Sequence, residues 1–202
     1  MKRALDIVLA GSLLLALSPL LVVVALLVRV KLGTPIIFKQ IRIGKGEKPF
    51  RIIKFRTMNE QHSENGKLLD DATRLTSFGH ALRLTSIDEL PELWNVLIGK
   101  MSLVGPRPLL PEYLPLYSPR EKLRHTVQPG ITGLAQVNGR NALTWDARLE
   151  LDAKYVEQFS FMKDLKILWQ TVAVVLQRQG ISAEGQATMH ALTIERSNKG
   201  NP

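Results

Sequence analysis

IVLAGSLLLALSPLLVVVALLV, residues 7–28, decides how this chain is built. The run carries no charged residue, and it is basic at both ends: Lys2 and Arg3 before it, Arg29 and Lys31 after it. As one straight helix it would reach about 33 Å at ~1.5 Å per residue, enough to cross a bilayer. Ser18-Pro19 breaks it in the middle. Pro19 has no N–H and clashes with the carbonyl of Leu15. The Ser18 hydroxyl can fold back onto the carbonyl of Leu14 or Leu15 and satisfy it. Each half is then roughly 14–17 Å long, half a bilayer. Two forms meet these constraints: a kinked helix that spans, or a helix–break–helix that enters and leaves by the same face. Basic flanks on both sides suit the second. Either form leaves Asp6, close to Lys2 and Arg3, in a polar cluster at headgroup depth. No small-x-small cleavage site precedes Arg29, so the run reads as a retained anchor rather than a signal peptide.

Outward from this anchor the chain divides at residues 1–31, 32–185 and 186–202. The middle part has the size of one domain with a core of its own. Pro35 to Ile43 and Phe50 to Met58 read as two strands, joined at Gly44-Lys45-Gly46 into a hairpin. His62 to Asp71 is polar and reads as a loop, and Thr76 to Arg83 as a short helix. Leu90, Leu93, Trp94 and Leu97 follow the i, i+3, i+4, i+7 spacing, which predicts a helix over 89–98 that stops at Gly99. Five prolines between Val104 and Pro119 exclude one regular helix there. Gly130 to Gly139 reads as a short strand. Thr144 caps a helix through Val156, and Ser160 caps another over 161–178. That last helix has one polar stripe of Lys163, Lys166, Gln170 and Gln177. Its remaining face is apolar and calls for a core or a membrane surface. The tail from His190 on reads as mobile. The fold class is α/β, mostly helical, with a small hairpin sheet.

Composition narrows the partners. Lys and Arg number 27 against 18 Asp and Glu, a formal charge of +9. With an anchor at the front, that charge suits anionic lipid and phosphate-bearing ligands. Nucleic acid is disfavoured, because no basic run is interleaved with the three Trp, three Tyr and six Phe. The absence of cysteine excludes disulfides, thiolate metal sites and a Cys nucleophile. The four histidines show no metal-ligand spacing.

Ser86-Ile87-Asp88-Glu89 precedes the helix predicted over 89–98. Ser-x-x-Glu is a capping box, and acidic residues belong in a first turn. Pro91 disturbs that register if Ser86 is the cap, and is harmless if Asp88 is. The same adjacent carboxylates suit Mg²⁺, which takes one or two of them together with phosphate oxygens. The basic candidates around the pair are Lys54, Arg56, Arg83, Arg107 and Arg140. Arginine forks onto phosphate and lysine acts as a point charge. Pro106 and Pro108 stiffen the backbone at Arg107.

Taken together the motifs form a known set. They are Lys2-Arg3-x-x-Asp6, Ser18-Pro19, Lys54-Phe55-Arg56-Thr57-Met58, and Arg83 with Asp88-Glu89-Leu90-Pro91-x-Leu93-x-Asn95-Val96-Leu97. Then follow Met101-Ser102-x-Val104-Gly105-Pro106-Arg107-Pro108, Arg124-His125-x-Val127-x-Pro129-Gly130-Ile131-Thr132-Gly133, and Gln136-Val137-Asn138-Gly139-Arg140. The chain resembles the small monotopic polyprenyl-phosphate phosphoglycosyltransferases of the bacterial sugar transferase family, closest to the enzymes that initiate glycoprotein glycans. The resemblance runs in order to Gly185. It implies a re-entrant anchor at the cytoplasmic face of the bacterial inner membrane. It implies Asp88 as a nucleophile that takes a phosphosugar from a UDP-sugar, releases UMP and passes the phosphosugar to polyprenyl phosphate. Glu89 completes an acidic dyad, Mg²⁺ is the cofactor, and Lys54, Arg56, Arg83, Arg107 and Arg140 bind phosphate or nucleotide. Asp152 and Asp164 are support residues. The implied sugar is an acetamido sugar, diacetamido-bacillosamine first and N-acetylgalactosamine second. Two other readings stay open: an Mg²⁺-dependent nucleotide-sugar hydrolase, and a basic membrane-surface binding protein in which the acidic pair only caps a helix.

Overall fold

The computed structural model describes residues 1–63, 65–139, 142–177 and 192–198. Helices α1 (Lys2–Ala16) and α2 (Ser18–Leu32) occupy the apolar run and meet at Leu17 with a bend of 63°. The Ser18 hydroxyl donates to the Leu15 carbonyl at 2.8 Å, and Pro19 sits in the first turn of α2, where a missing N–H is harmless. Among the described residues no single helix is long and apolar enough to cross a membrane; the bent pair reaches that length only together.

Both ends of the bent pair are tied to the same globular body. Lys2 Nζ donates to the Val104 carbonyl at 2.9 Å and pairs with Asp164. Arg3 donates to the carbonyls of Val96 and Leu97 at the end of the helix Glu92–Leu97. Asp6 accepts from Ser102 Oγ at 3.0 Å and Leu103 N at 2.9 Å. At the far end, Arg56 donates to the carbonyls of Leu32 and Thr34. The inner face of the pair is packed as well: Ala10 is 0 % exposed in the main core, and Val24 and Val28 close a second cluster with Phe55 and Leu82.

Strands β1 (Ile37–Ile43) and β2 (Pro49–Phe55) form the expected antiparallel hairpin. A small parallel sheet joins β3 (Ser102–Val104) to β4 (Gly130–Thr132). At Gly130 the backbones approach so closely that a Cβ would lie 2.1 Å from Gly105 N. The remaining helices are α3 (Asp71–Arg74), α4 (Ser77–Leu84), α5 (Glu92–Leu97), α6 (Leu134–Val137), α7 (Trp145–Glu157), α8 (Phe161–Gln177) and α9 (Leu192–Asn198). Thr76 and Thr144 cap α4 and α7 by accepting from Gly79 N and Ala147 N.

Three expectations change. The helix predicted over 89–98 is split: a 3-10 turn covers Ile87–Glu89 and α5 begins only at Glu92, after Pro91. The strand predicted over 130–139 is three residues long and gives way to α6. The proline-rich stretch is not one regular helix, as expected; within it lies a 3-10 helix, Pro111–Leu116, which fixed proline φ angles tolerate at its start. In the tail, α9 docks by burying Leu192 against Tyr113, Trp145 and Leu149, and Arg196 pairs with Glu121 at 2.5 Å.

Apolar side chains remain on the outside. Met162, Leu165, Trp169, Val172 and Leu176 are exposed at three- and four-residue intervals along α8, opposite buried Asp164 and Ile167. Trp94 and Ile98 are half exposed at α5, and Val8, Leu15, Val22 and Leu26 along the bent pair. An apolar surface spread over three elements marks a face for a protein partner or a membrane.

Candidate active site

The site is assembled by clipping α5 to the hairpin. Asn95 is buried; its Oδ1 accepts from Ile53 N at 3.2 Å and its Nδ2 donates to the Arg51 carbonyl at 2.9 Å. This sets the turn before α5 against Lys54 of β2. The turn is tight: Ser86 has φ +56°, a left-handed conformation unusual for a residue with a Cβ. The β3–β4 sheet then delivers Arg107, which follows Gly105 and Pro106, from the other side. Gly105 N donates to the Thr132 carbonyl and Gly130 N to the Pro106 carbonyl, each at 2.9 Å.

Three carboxylates and three cations converge here. Lys54 Nζ donates to Glu89 Oε1 at 2.7 Å and pairs with Glu92 Oε1 at 3.0 Å. Arg107 Nη2 donates to the same Glu89 oxygen at 2.5 Å. Arg83 donates through Nε to Thr57 Oγ1 at 3.1 Å and faces Asp88 electrostatically. Asp88 itself is 7 % exposed, and among the described residues its carboxylate has no hydrogen bond and no ion pair.

The carboxylates therefore differ in character. Burial pushes the Asp88 carboxyl up and the charge of Glu89 adds to that; Lys54, Arg83 and Arg107 oppose without reversing it, and it comes to about 6. Burial acts on Glu89 too, but Arg107 and Lys54 more than reverse it and hold Glu89 well below the usual carboxylate range. Burial lowers the Lys54 ammonium, and Glu89 and Glu92 outweigh it, so Lys54 stays charged. Glu92 is 1 % exposed and shares only Lys54, and burial pushes its carboxyl up. Sequence reasoning missed Glu92. Its signal was present, since Asp88, Glu89 and Glu92 are three acids within five residues.

Two sets of carboxylate oxygens at the acidic pair are left over. Both hydrogen bonds to Glu89 fall on Oε1, so Oε2 and the Asp88 carboxylate are the oxygens available. Among the described residues no group of three or more acidic or histidine side chains is placed to hold a metal ion. An open site of one or two carboxylates, completed by phosphate oxygens, is the kind that Mg²⁺ takes.

The other expected residues fall in different places. Arg56 departs from the expectation of a phosphate ligand. Its donors go to Leu32 and Thr34, and Glu60 lies 3.8 Å away, so it caps the end of α2 instead. Asp152 pairs with Arg124 at 2.9 Å, and Arg124 donates to the Arg107 carbonyl at 2.6 Å, which braces the Arg107 backbone. Asp164 holds Lys2 and accepts from Tyr155 OH at 2.8 Å, so it secures the anchor. Asp88 does not cap a helix, because no side-chain cap bond forms in the 87–89 turn or at the start of α5. Arg140 lies outside the described residues.

Comparison with known proteins gives the family. The chain is 49 % identical to an uncharacterized sugar transferase, EpsL, of Bacillus subtilis, over 96 % of both chains. It is 44 % identical to the UDP-glucose:undecaprenyl-phosphate glucose-1-phosphate transferase of Escherichia coli, covering 85 % of this chain and 39 % of that protein. It is 38 % identical to the UDP-galactose-lipid carrier transferase of Erwinia amylovora, covering 89 % of this chain and 41 % of that one. The chain thus spans about two fifths of the length of these two larger relatives. Residues 1–178 match the description "Bacterial sugar transferase", and the chain belongs to that family.

Proposed function

We propose that this protein moves a sugar phosphate from a UDP-sugar to polyprenyl phosphate in two steps, with Asp88 as the nucleophile. The observation that carries this is the contrast between neighbours. Glu89 is engaged by two cations, while the buried Asp88 carboxylate keeps its lone pairs free. An Asp88 oxygen bonds to the phosphorus that carries the sugar, and the bond from that phosphorus to the bridging oxygen breaks. UMP leaves with the electron pair, and an aspartyl phosphosugar remains. An oxygen of polyprenyl phosphate then attacks the same phosphorus and frees Asp88. Lys54, Arg83 and Arg107 screen an anion attacking an anion, and Glu89 holds Lys54 and Arg107 in place. Mg²⁺ at Asp88 and Glu89 Oε2 would supply further neutralisation of the diphosphate.

The bent pair is read as a re-entrant anchor at the cytoplasmic face of the inner membrane. Clamping of both Lys2 and Leu32 to one globular body supports that reading, because a body lying on one side of a membrane then holds both ends of the pair. Exposed apolar α8, with Lys163 and Lys166 beside it, and the flanks Arg29 and Lys31 suit an anionic lipid surface. A cysteine inserted after Met1 tests the topology in a chain without native cysteine. It reacts with an impermeant thiol reagent only from the cytoplasmic side; labelling from outside the cell ends the re-entrant reading.

Product analysis tests the reaction. UMP together with lipid-linked sugar diphosphate supports transfer. Free sugar phosphate identifies a hydrolase using the same pair with water, and no turnover of any donor leaves a membrane-surface binding protein. The relatives are named for UDP-glucose and UDP-galactose, whereas the acetamido-sugar expectation rests on the motif resemblance. A panel of UDP-glucose, UDP-galactose, UDP-N-acetylgalactosamine and UDP-diacetylbacillosamine, ranked by UMP release, decides between them.

The same chemistry fixes a pH limb. Asp88 must be ionised to attack, and its carboxyl sits at about 6. UMP release therefore falls about tenfold per unit below pH 6 and levels off above it. A rate unchanged between pH 7 and pH 5, in protein shown to remain folded, contradicts the assignment.

A further inference from the structure

Arg42 is a partly buried cation that the site described above leaves unused. The hairpin register pairs Phe38 with Lys54, Gln40 with Ile52 and Arg42 with Phe50. Directly paired residues share a face of a two-stranded ribbon, and every second residue returns to it. Arg42 and Lys54 therefore stand on one face, about 13 Å apart along the ribbon at ~3.3 Å per residue. Ile43 N donates to the Leu109 carbonyl at 3.0 Å, which joins the end of β1 to the segment carrying Arg107. Arg42 thus comes within electrostatic reach of Arg107, and of Glu92 and Glu112.

Its charge is poorly answered. Nη2 donates to Gln40 Oε1 at 2.6 Å, while Nε is buried with no acceptor. Among the described residues Arg42 makes no ion pair. Burial and the nearby Arg107 lower its pKa to about 10, more than Tyr113, Glu92 and Glu112 restore. A partly buried guanidinium with no ion pair lacks a counter-anion of its own. Its planar fork matches two oxygens of one phosphate.

We propose that Arg42, beside Arg107, binds a phosphate monoester: the phosphate that departs with the nucleoside. The proposal rests on the two-step transfer described above. When the bond to the bridging oxygen breaks, negative charge accumulates on the UMP phosphate. That phosphate is joined to the attacked phosphorus through one oxygen, so it lies between the Lys54 and Arg107 groups at the dyad and the Arg42 side chain, which shares the Lys54 face. Polyprenyl phosphate presents the same chemical group, so the experiment separates the two.

Full-length protein in nanodiscs is tested for UMP binding by equilibrium dialysis as wild type, Arg42→Gln and Arg42→Lys. KM is measured for the UDP-sugar and for polyprenyl phosphate, and thermal midpoints are compared. Arg42→Gln should weaken UMP binding at least tenfold and raise KM for the UDP-sugar to match. KM for polyprenyl phosphate should stay within twofold, and Arg42→Lys should recover part of the loss. Unchanged UMP affinity overturns the proposal, even where transfer falls, and a change confined to polyprenyl phosphate gives Arg42 to the acceptor instead. If Arg42→Gln does not fold, Arg42→Lys decides, since it keeps the charge and loses the fork; wild-type UMP affinity there overturns the proposal. Wild-type protein that binds UMP through Arg42 yet makes no lipid-linked sugar sinks the transfer reading and leaves this one standing.

Discussion

Asp88→Asn is expected to stop UMP release while the protein stays folded. Asparagine keeps the shape of the side chain but offers a neutral amide that cannot attack phosphorus. Loss of a covalent nucleophile costs roughly 10⁴-fold or more in turnover. Stability responds in the opposite sense. Asp88 caps nothing and makes no ion pair among the described residues. Its carboxyl is raised in the folded state to about 6, so its contribution to stability is full only at low pH and is lost as pH rises through that value. At pH 7 the charge beside Glu89 is a burden that asparagine removes. The thermal midpoint should therefore hold or rise. If Asp88 served only as a helix cap, the same change would cost about 0.5–2 kcal/mol and leave any turnover intact. UMP release by Asp88→Asn at more than a hundredth of the wild-type rate would falsify the nucleophile assignment.

Lys54→Met should be nearly as damaging, for a different reason. Methionine retains most of the apolar stem and deletes the ammonium that lies 2.7 Å from Glu89 and 3.0 Å from Glu92. Removing one partner from a buried charge cluster costs about 3–5 kcal/mol. Part of that cost is relieved here, because Glu92 already has a raised carboxyl at about 7 and takes up a proton readily. Glu89 keeps Arg107, but the incoming diphosphate loses a positioned cation, and kcat/KM should fall roughly 10²–10³-fold. Adding Glu92→Gln to Lys54→Met should restore stability and leave activity low. A loss below tenfold in Lys54→Met, or recovery of activity in the double variant, would show that Lys54 is only a structural partner.

The hairpin, α7 and α8 were legible in sequence because each has a local signal: alternation with a glycine turn, a threonine cap, a helical apolar stripe. The acidic pair and its basic company were legible as a set of motifs. What failed depended on tertiary contact. β3 and β4 are three residues each and pair across a long separation, so neither has a pattern of its own. Arg56 follows Lys54 by two residues and would share its face in a continuing strand, but β2 ends at Phe55 and the chain turns Arg56 toward α2. Pro91 divides what periodicity alone reads as one helix. The polar segment at α9 gains its order from Leu192 entering an aromatic cluster, a contact invisible locally. Arg42 became meaningful only once the register placed it on the Lys54 face.

Ala10, Val24 and Val28 lie at zero to four per cent exposure inside the globular body, so the N-terminal hairpin supplies part of the filling around which the body condenses. It is not a detachable leader. A polypeptide starting after Leu32 would leave vacant hollows beside Leu97 and Phe55 and would strand the carboxylate of Asp164 without its lysine. The pair and the body must then fold together. Attempts to liberate a water-soluble enzyme by trimming the front of the chain should yield aggregate rather than catalyst.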